Sequence, residues 1–316
     1  MSTAGSKRAV FAALLANLGI AVAKFIGFAF TRSSSMLAEG VHSLADTGNQ
    51  LLLLLGDRRS QLTPTEEHPF GYGRERYFWG FVVSIVLFTL GSAFAIFEGI
   101  SKILHPHQLE STGWALAILA VAAVMEGSSF RTARRESNEV RGGLSWWQFI
   151  RQAKAPELPV LLLEDSGALV GLAIAFACLL AATLTNDSRW DGAGSVLIGL
   201  LLGAIAVVLA TEMKSLLIGE SATRADRDAI ESAITSSPRV RHLIHLRTEH
   251  LGPEDLLVGA KVDFDPSLSF AALATTIDEV EVAIRAAVPT ARLIYLEPDV
   301  VRPDDASADP AAGPHG

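Results

Sequence analysis

The side chains with the most chemical capacity lie in residues 38–50, AEGVHSLADTGNQ, inside an otherwise apolar stretch. Helical steps of three and four bring Glu39, His42, Asp46 and Asn49 onto one stripe. His42 and Asp46, an imidazole and a carboxylate one turn apart, are both metal-ligating groups. In a soluble helix such a pair is equally a structural contact within a bundle. At membrane depth each ionisable group costs about 2.5–3.5 kcal/mol even on a lenient insertion scale, so it is kept where it lines a pathway or finds a partner. A second concentration, LLLEDSGALVGLAIAF, sets the adjacent carboxylates Glu164 and Asp165 in apolar surroundings. Consecutive helical residues are about 100° apart, so at most one of the two points squarely at a common centre. Lys24 either snorkels along apolar surface or pairs with an acidic group such as Glu39. Glu98 and Glu126 are expected at an interface or facing a bundle.

Positioning these groups requires helices that cross a membrane. The chain has 316 residues, half of them apolar, and only 19% charged, against roughly a quarter for soluble domains; its mean hydropathy is +0.35. This composition describes a membrane protein with a soluble appendage. Six spans are expected, at about 9–30, 34–56, 77–104, 111–130, 159–184 and 192–218, each long enough for a bilayer. Gly194, Gly199 and Gly203 in the last span permit close helix packing. The basic residues fall in alternate connections: Lys7 and Arg8; Arg58, Arg59, Arg74 and Arg76; then Arg131, Arg134, Arg135, Arg141, Arg151 and Lys154. By the positive-inside rule both termini face the cytoplasm. Within the third group, LSWWQFIRQ is a short amphipathic segment whose Trp146 and Trp147 suit the headgroup level of the lipid.

The net charge of −8, weighted towards the C-terminal third, argues against a nucleic-acid partner. The single cysteine, Cys178, excludes a disulfide framework and a cysteine zinc site and is read as packing. No nucleophile with a positioned base is evident, so the chain is not read as an enzyme. The loop HPFGYG is broken by proline and glycine, and His68 there, beside Glu66 and Glu67, is either a turn residue or a ligand.

From Glu220 the composition becomes that of a soluble domain. Helical patterns at 224–236 and 269–287 and strand patterns at 242–250, 256–264 and 291–297 give the order α-β-β-α-β, a small two-layer α+β domain of ferredoxin-like type. The divisions expected are a transmembrane domain over 1–219, a cytoplasmic domain over 220–300 and a disordered tail over 301–316, rich in Pro, Ala, Asp and Gly. No targeting extension is visible, which leads to a multi-pass bacterial cytoplasmic membrane protein, an organellar setting remaining open.

Six helices, HSLAD on the second, an acidic motif on the fifth, HPFGYG and the α-β-β-α-β domain together resemble the cation diffusion facilitator family of divalent-metal transporters. The resemblance runs from about Lys7 to Glu297. Its most specific parts are residues 34–50 and HPFGYG, and LLLED and SWWQFIRQ look most like the branch that includes animal zinc transporter nine.

The resemblance implies a homodimer that exports Zn²⁺ from the cytosol in exchange for protons, with manganese, iron or cobalt as alternative cargo. The family's central site takes two ligands from the second helix, which map onto His42 and Asp46. It takes two more from the fifth at the spacing (His or Asp)-x-x-x-Asp. Asp165 matches the second of these, whereas the first falls at Leu161, which cannot bind metal. Glu164 is the natural replacement, either as a ligand or as a proton-carrying group behind the ligands. In the loop only His68 remains in register, with Thr65 and Tyr72 at the other positions. In the tail domain His245 and Glu297 match, but Ala260 and Tyr295 stand where His is expected, and His242 and His250 are read as surface residues. His42 is the leading proton carrier, Glu164 or Asp165 the second. The competing reading is a non-transporting, metal-responsive membrane scaffold whose cytoplasmic domain binds a partner.

Overall fold

The computed structural model describes residues 3–106 and 112–302. The expected disordered tail from residue 303 and the end of the HPHQ turn at 107–108 lie outside the described residues. The chain forms two compact units: one through Leu62 and from Glu75 to Lys214, the other Thr63–Arg74 and from Ser215 onward.

The first unit is built of long helices: α1 Thr3–Thr31, α2 Ser34–Ser60, α3 Glu75–Leu104, α4 Thr112–Arg141, the short α5 Trp146–Gln152, α6 Glu157–Thr185 and α7 Arg189–Ile218. Among the described residues four of them, α3, α4, α6 and α7, are long and apolar enough to cross a membrane. The polar stripe of α2 dilutes its hydropathy, and within α1 the apolar stretch among the described residues is Asn17–Thr31. Leu87, Leu119, Leu172, Leu179, Ile198 and Leu202 lie in the apolar core between them.

The turn from α1 to α2 follows from local chemistry. Arg32 adopts a left-handed backbone at φ 54°, ending α1. Ser33 then caps α2, its side chain accepting from the Met36 N–H at 3.2 Å, which supplies one of the donors a helix start leaves unpaired with an acceptor. The same hydroxyl donates to Asp191 Oδ1 at 2.6 Å, tying the turn to the start of α7. Where α3 meets α7, glycine is required: a Cβ on Gly199 would lie 2.6 Å from Ile96 Cγ1 and 2.8 Å from the Ser92 carbonyl oxygen. Within α3, residues Leu87–Ala93 are wound as a π-helix, a local widening that often marks functional segments.

Two helices run further than their hydropathy indicates. α2 continues to Ser60 with Arg58 and Arg59 in its last turn, where cations offset the helix dipole. α4 runs to Arg141 rather than stopping near Phe130, because charged helix formers extend it in polar surroundings. The chain then turns into α5 through a capping box of Ser145 and Gln148. The guanidinium of Arg141 lies 4.3 Å from the Trp146 ring centroid and that of Arg134 lies 5.7 Å from it.

The second unit contains α8 Arg224–Thr235, β1 Val240–Gly252, β2 Asp255–Phe264, α9 Phe270–Ala287 and β3 Ala291–Pro298. The sheet order is β1-β2-β3, with β1 and β2 antiparallel and β2 and β3 parallel. Leu256, Val258, Ala260 and Val262 alternate along β2 onto the buried face and join Ile230, Ile234, Val280 and Ile284 from the helices. This alternation is the period-2 signature of a sheet covered on one side.

Loop 63–74 belongs to this unit. Gly73 packs so closely on β1 that a Cβ there would come 2.6 Å from the Leu251 carbonyl oxygen, and Arg74 pairs with Glu249. That cover corrects the surface reading of His250, which is 3% exposed. Its backbone N–H donates to the Glu220 carbonyl at 2.8 Å, so the end of β1 is enclosed from two sides. His242, by contrast, is exposed.

Candidate metal-binding site in the helical unit

The stripe on α2 is buried throughout: Glu39, His42 and Asn49 are fully buried and Asp46 is 8% exposed. It meets α1 through Glu39 and Lys24 and α6 through Asn49 and Glu164. His42 Nδ1 lies 3.4 Å from Asp46 Oδ1, close but without hydrogen-bond geometry. Among the described residues, both ring nitrogens of His42, Asp46 Oδ1 and Asn49 Oδ1 have no hydrogen-bond partner. Buried polar atoms are normally bonded, so a run of orphaned imidazole and oxygen acceptors on one face fits a cation as ligand. The donor set is a borderline nitrogen with hard oxygens, suited to Zn²⁺ and tolerant of Mn²⁺ or Fe²⁺.

The adjacent carboxylates of α6 divide in the manner the helical step requires. Glu164 turns to α2, accepting from Asn49 Nδ2 at 2.6 Å. Asp165 turns to α4, accepting from Ser129 Oγ at 3.0 Å. Both are nearly excluded from solvent. Among the described residues, no three His, Cys, Asp or Glu side chains converge as a set ready to hold a metal ion. His42 and Asp46 are brought together, Glu164 is brought to their helix, and Asp165 points to the neighbouring one.

Three polar residues that sequence reasoning left without a role stand beside the stripe. Ser129 holds Asp165; Glu126, one turn before it on α4, and Ser43 on α2 both approach Lys24. Lys24 Nζ lies 2.8 Å from Ser43 Oγ, 3.0 Å from Glu39 Oε2 and 3.9 Å from Glu126 Oε1. Of the two fates open to Lys24, pairing is the one observed. The i,i+3 spacing of Glu126 and Ser129 in an apolar run was the available signal for α4.

Elsewhere His68 and Glu297 are otherwise engaged. His68 sits in the exposed turn, its backbone N–H bonded to Thr65 Oγ1 at 3.1 Å and its ring edge-on to Tyr72 at 4.7 Å. In the tail domain Lys261 Nζ lies 3.2 Å from Glu297 Oε1 and 3.1 Å from Asp299 Oδ2. His245 is opposite Lys261 in the β1–β2 register. Tyr295 is exposed and Ala260 buried.

The sequence model of the cation efflux transmembrane domain matches residues 10–218. The Xenopus laevis protein named proton-coupled zinc antiporter SLC30A9, mitochondrial, is 35% identical over 247 residues, 77% of this chain and 44% of its own length. Metal tolerance protein C4 of Arabidopsis thaliana is 31% identical over 263 residues, 82% of this chain and 57% of its own. The cation-efflux pump FieF of Klebsiella pneumoniae is 25% identical over 298 residues, 94% of each chain. The chain thus spans about half the length of the first two relatives.

Proposed function

From the premise that this chain belongs to the cation efflux family, we propose that it is a proton-coupled exporter of divalent metal, zinc foremost, with its transport site between α2 and α6. The supporting observation is the Asn49–Glu164 bond, which joins the orphaned His42–Asp46 stripe to the acidic turn of α6. His42, Asp46 and Glu164 form the core of the site, and Asp165 enters it when α4 releases it from Ser129. Metal binding requires a neutral imidazole and ionised carboxylates, so protons compete with metal for the same atoms. A site open to the cytoplasm loads metal; once it faces the other side, protons reload it and the metal leaves.

The protein crosses the membrane several times. We place all six long helices across it, with the basic loops and both termini on the cytoplasmic side of a cell membrane, and a homodimer as the working unit. Relatives named as zinc antiporters support zinc and protons as the exchanged ions; manganese, iron and cobalt are further cargo for such a ligand set. The tail domain is ferredoxin-like in its element order.

A scaffold reading draws on the separation of Asp165 from the α2 ligands. Flux decides between the two. In proteoliposomes, Zn²⁺ movement driven by a pH gradient is expected in the wild type and lost in Asp46→Ala and Asp165→Ala variants that remain folded. Retained flux in either variant removes that residue from the site, and no flux of Zn²⁺ or Mn²⁺ from folded wild type favours the scaffold.

A further inference from the structure

Lys24 is fully buried on α1, seven residues before the end of the helix at Thr31. Helical side chains lean towards the N-terminus, so its stem points away from the nearer helix end and into the bundle. Its ammonium is surrounded by groups from two other helices: Glu39 and Ser43 of α2 and Glu126 of α4, at 3.0, 2.8 and 3.9 Å. All three are buried. Glu39 Oε1, the oxygen not bonded to Lys24, has no hydrogen-bond partner among the described residues and abuts Gly171 of α6, where a Cβ would lie 2.6 Å from it. Four helices therefore close on two carboxylates and a hydroxyl, which without Lys24 is an all-oxygen cation site.

This second site adjoins the first. Glu39 precedes His42 by one turn and Ser43 follows it directly. A divalent ion entering between α2 and α6 would meet two carboxylate-bearing places, of which one already holds a positive charge. We propose that Lys24 is a tethered cation that keeps the Glu39–Ser43–Glu126 site closed to metal and confines the ion to the His42–Asp46–Glu164 site. It is a specificity-determining residue, because the closed site has only oxygen donors and would favour hard ions. The proposal rests on the transport-site reading for its meaning in transport. The chemistry of the Lys24 site stands apart from it.

The test counts bound ions per chain on the full-length protein in detergent, by equilibrium dialysis against Mn²⁺ and, separately, Zn²⁺. Lys24→Met is expected to bind one more ion per chain than wild type, with the gain larger for Mn²⁺. Adding Glu39→Gln to Lys24→Met is expected to abolish the gain, and Lys24→Arg to match wild type. An unchanged count in folded Lys24→Met overturns the proposal. If Lys24→Met is not monodisperse without metal, recovery by millimolar Mn²⁺ supports it; failure of both ions to recover it, with Lys24→Arg folded, shows a merely structural lysine and overturns it. A wild type that binds no ion while Lys24→Met binds one overturns the transport-site reading alone. A wild type that binds one, with no gain in the variant, overturns the Lys24 proposal alone.

Discussion

Glu164 and Asp165 show how one residue step assigns different work to the same functional group. Glu164 is held by Asn49, and that bond supplies the direction in which its carboxylate points. Asn49→Ala leaves the buried oxygen without its donor, which costs about 1–3 kcal/mol, and is expected to lower the melting temperature of the purified protein. Glu164→Gln keeps an oxygen for Asn49 to donate to, so near-wild-type melting with weakened Zn²⁺ binding is expected. Equal loss of both would mark Glu164 as structural. The α2 stripe was legible in the sequence because steps of three and four repeat on one helix face, and all four members are buried together. Which acidic residue of α6 faces α2 was not legible, because adjacent positions differ only by a rotation that the packing of α2 and α4 sets. The family spacing favoured Asp165, whereas the residue bonded to α2 is Glu164.

At the scale of the elements, the contact of α3 with α7 leaves little room between the helices. Gly199 meets the Ser92 carbonyl and Ile96 at distances that no Cβ tolerates, and Gly203 sits against the Ser92 hydroxyl. Ser92 lies in the π-wound segment of α3, so the glycines of α7 face the place where α3 departs from regular winding. Gly199→Ala must push the helices apart, and overpacking of this kind costs about 1–3 kcal/mol. A lower thermal midpoint is expected, and an unchanged one would show that α3 and α7 separate freely. The glycine spacing in α7 was visible beforehand; the π segment was not, because the Gly91–Ser92 pair in LFTLGSA is matched by glycines in helices that wind regularly. In the tail domain, strands and helices fall close to expectation, since alternation and capping are local signals. By contrast, α4 outran its hydropathy because the rule for crossing a membrane says nothing about a helix that continues into water.

Across the whole molecule a motif recurs in both units: a lysine between two acidic side chains where a metal ligand set would otherwise be sought. In the tail domain it is Lys261 with Glu297 and Asp299, and His245→Ala is accordingly expected to leave Zn²⁺ flux unchanged. Hydrogen bonds from Lys261 to Asp299 and Glu297 hold its ammonium above the ordinary lysine range. The Val300 N–H, and after it Lys261, hold the Asp299 carboxyl below the usual carboxylate range. A raised lysine contributes fully below its unfolded pKa and loses that contribution as pH rises through the folded one. A depressed carboxylate contributes above its unfolded pKa and loses it as pH falls through the folded one. The two windows overlap across neutral pH, where the contact is complete. Lys261→Met in the full chain is therefore expected to speed backbone hydrogen exchange at the β2–β3 pairing near neutrality. The difference from wild type should persist down to the usual carboxylate range and close only in stronger acid. A difference that closes already between neutral and mildly acidic pH would show that the Lys261–Asp299 contact does not carry the effect.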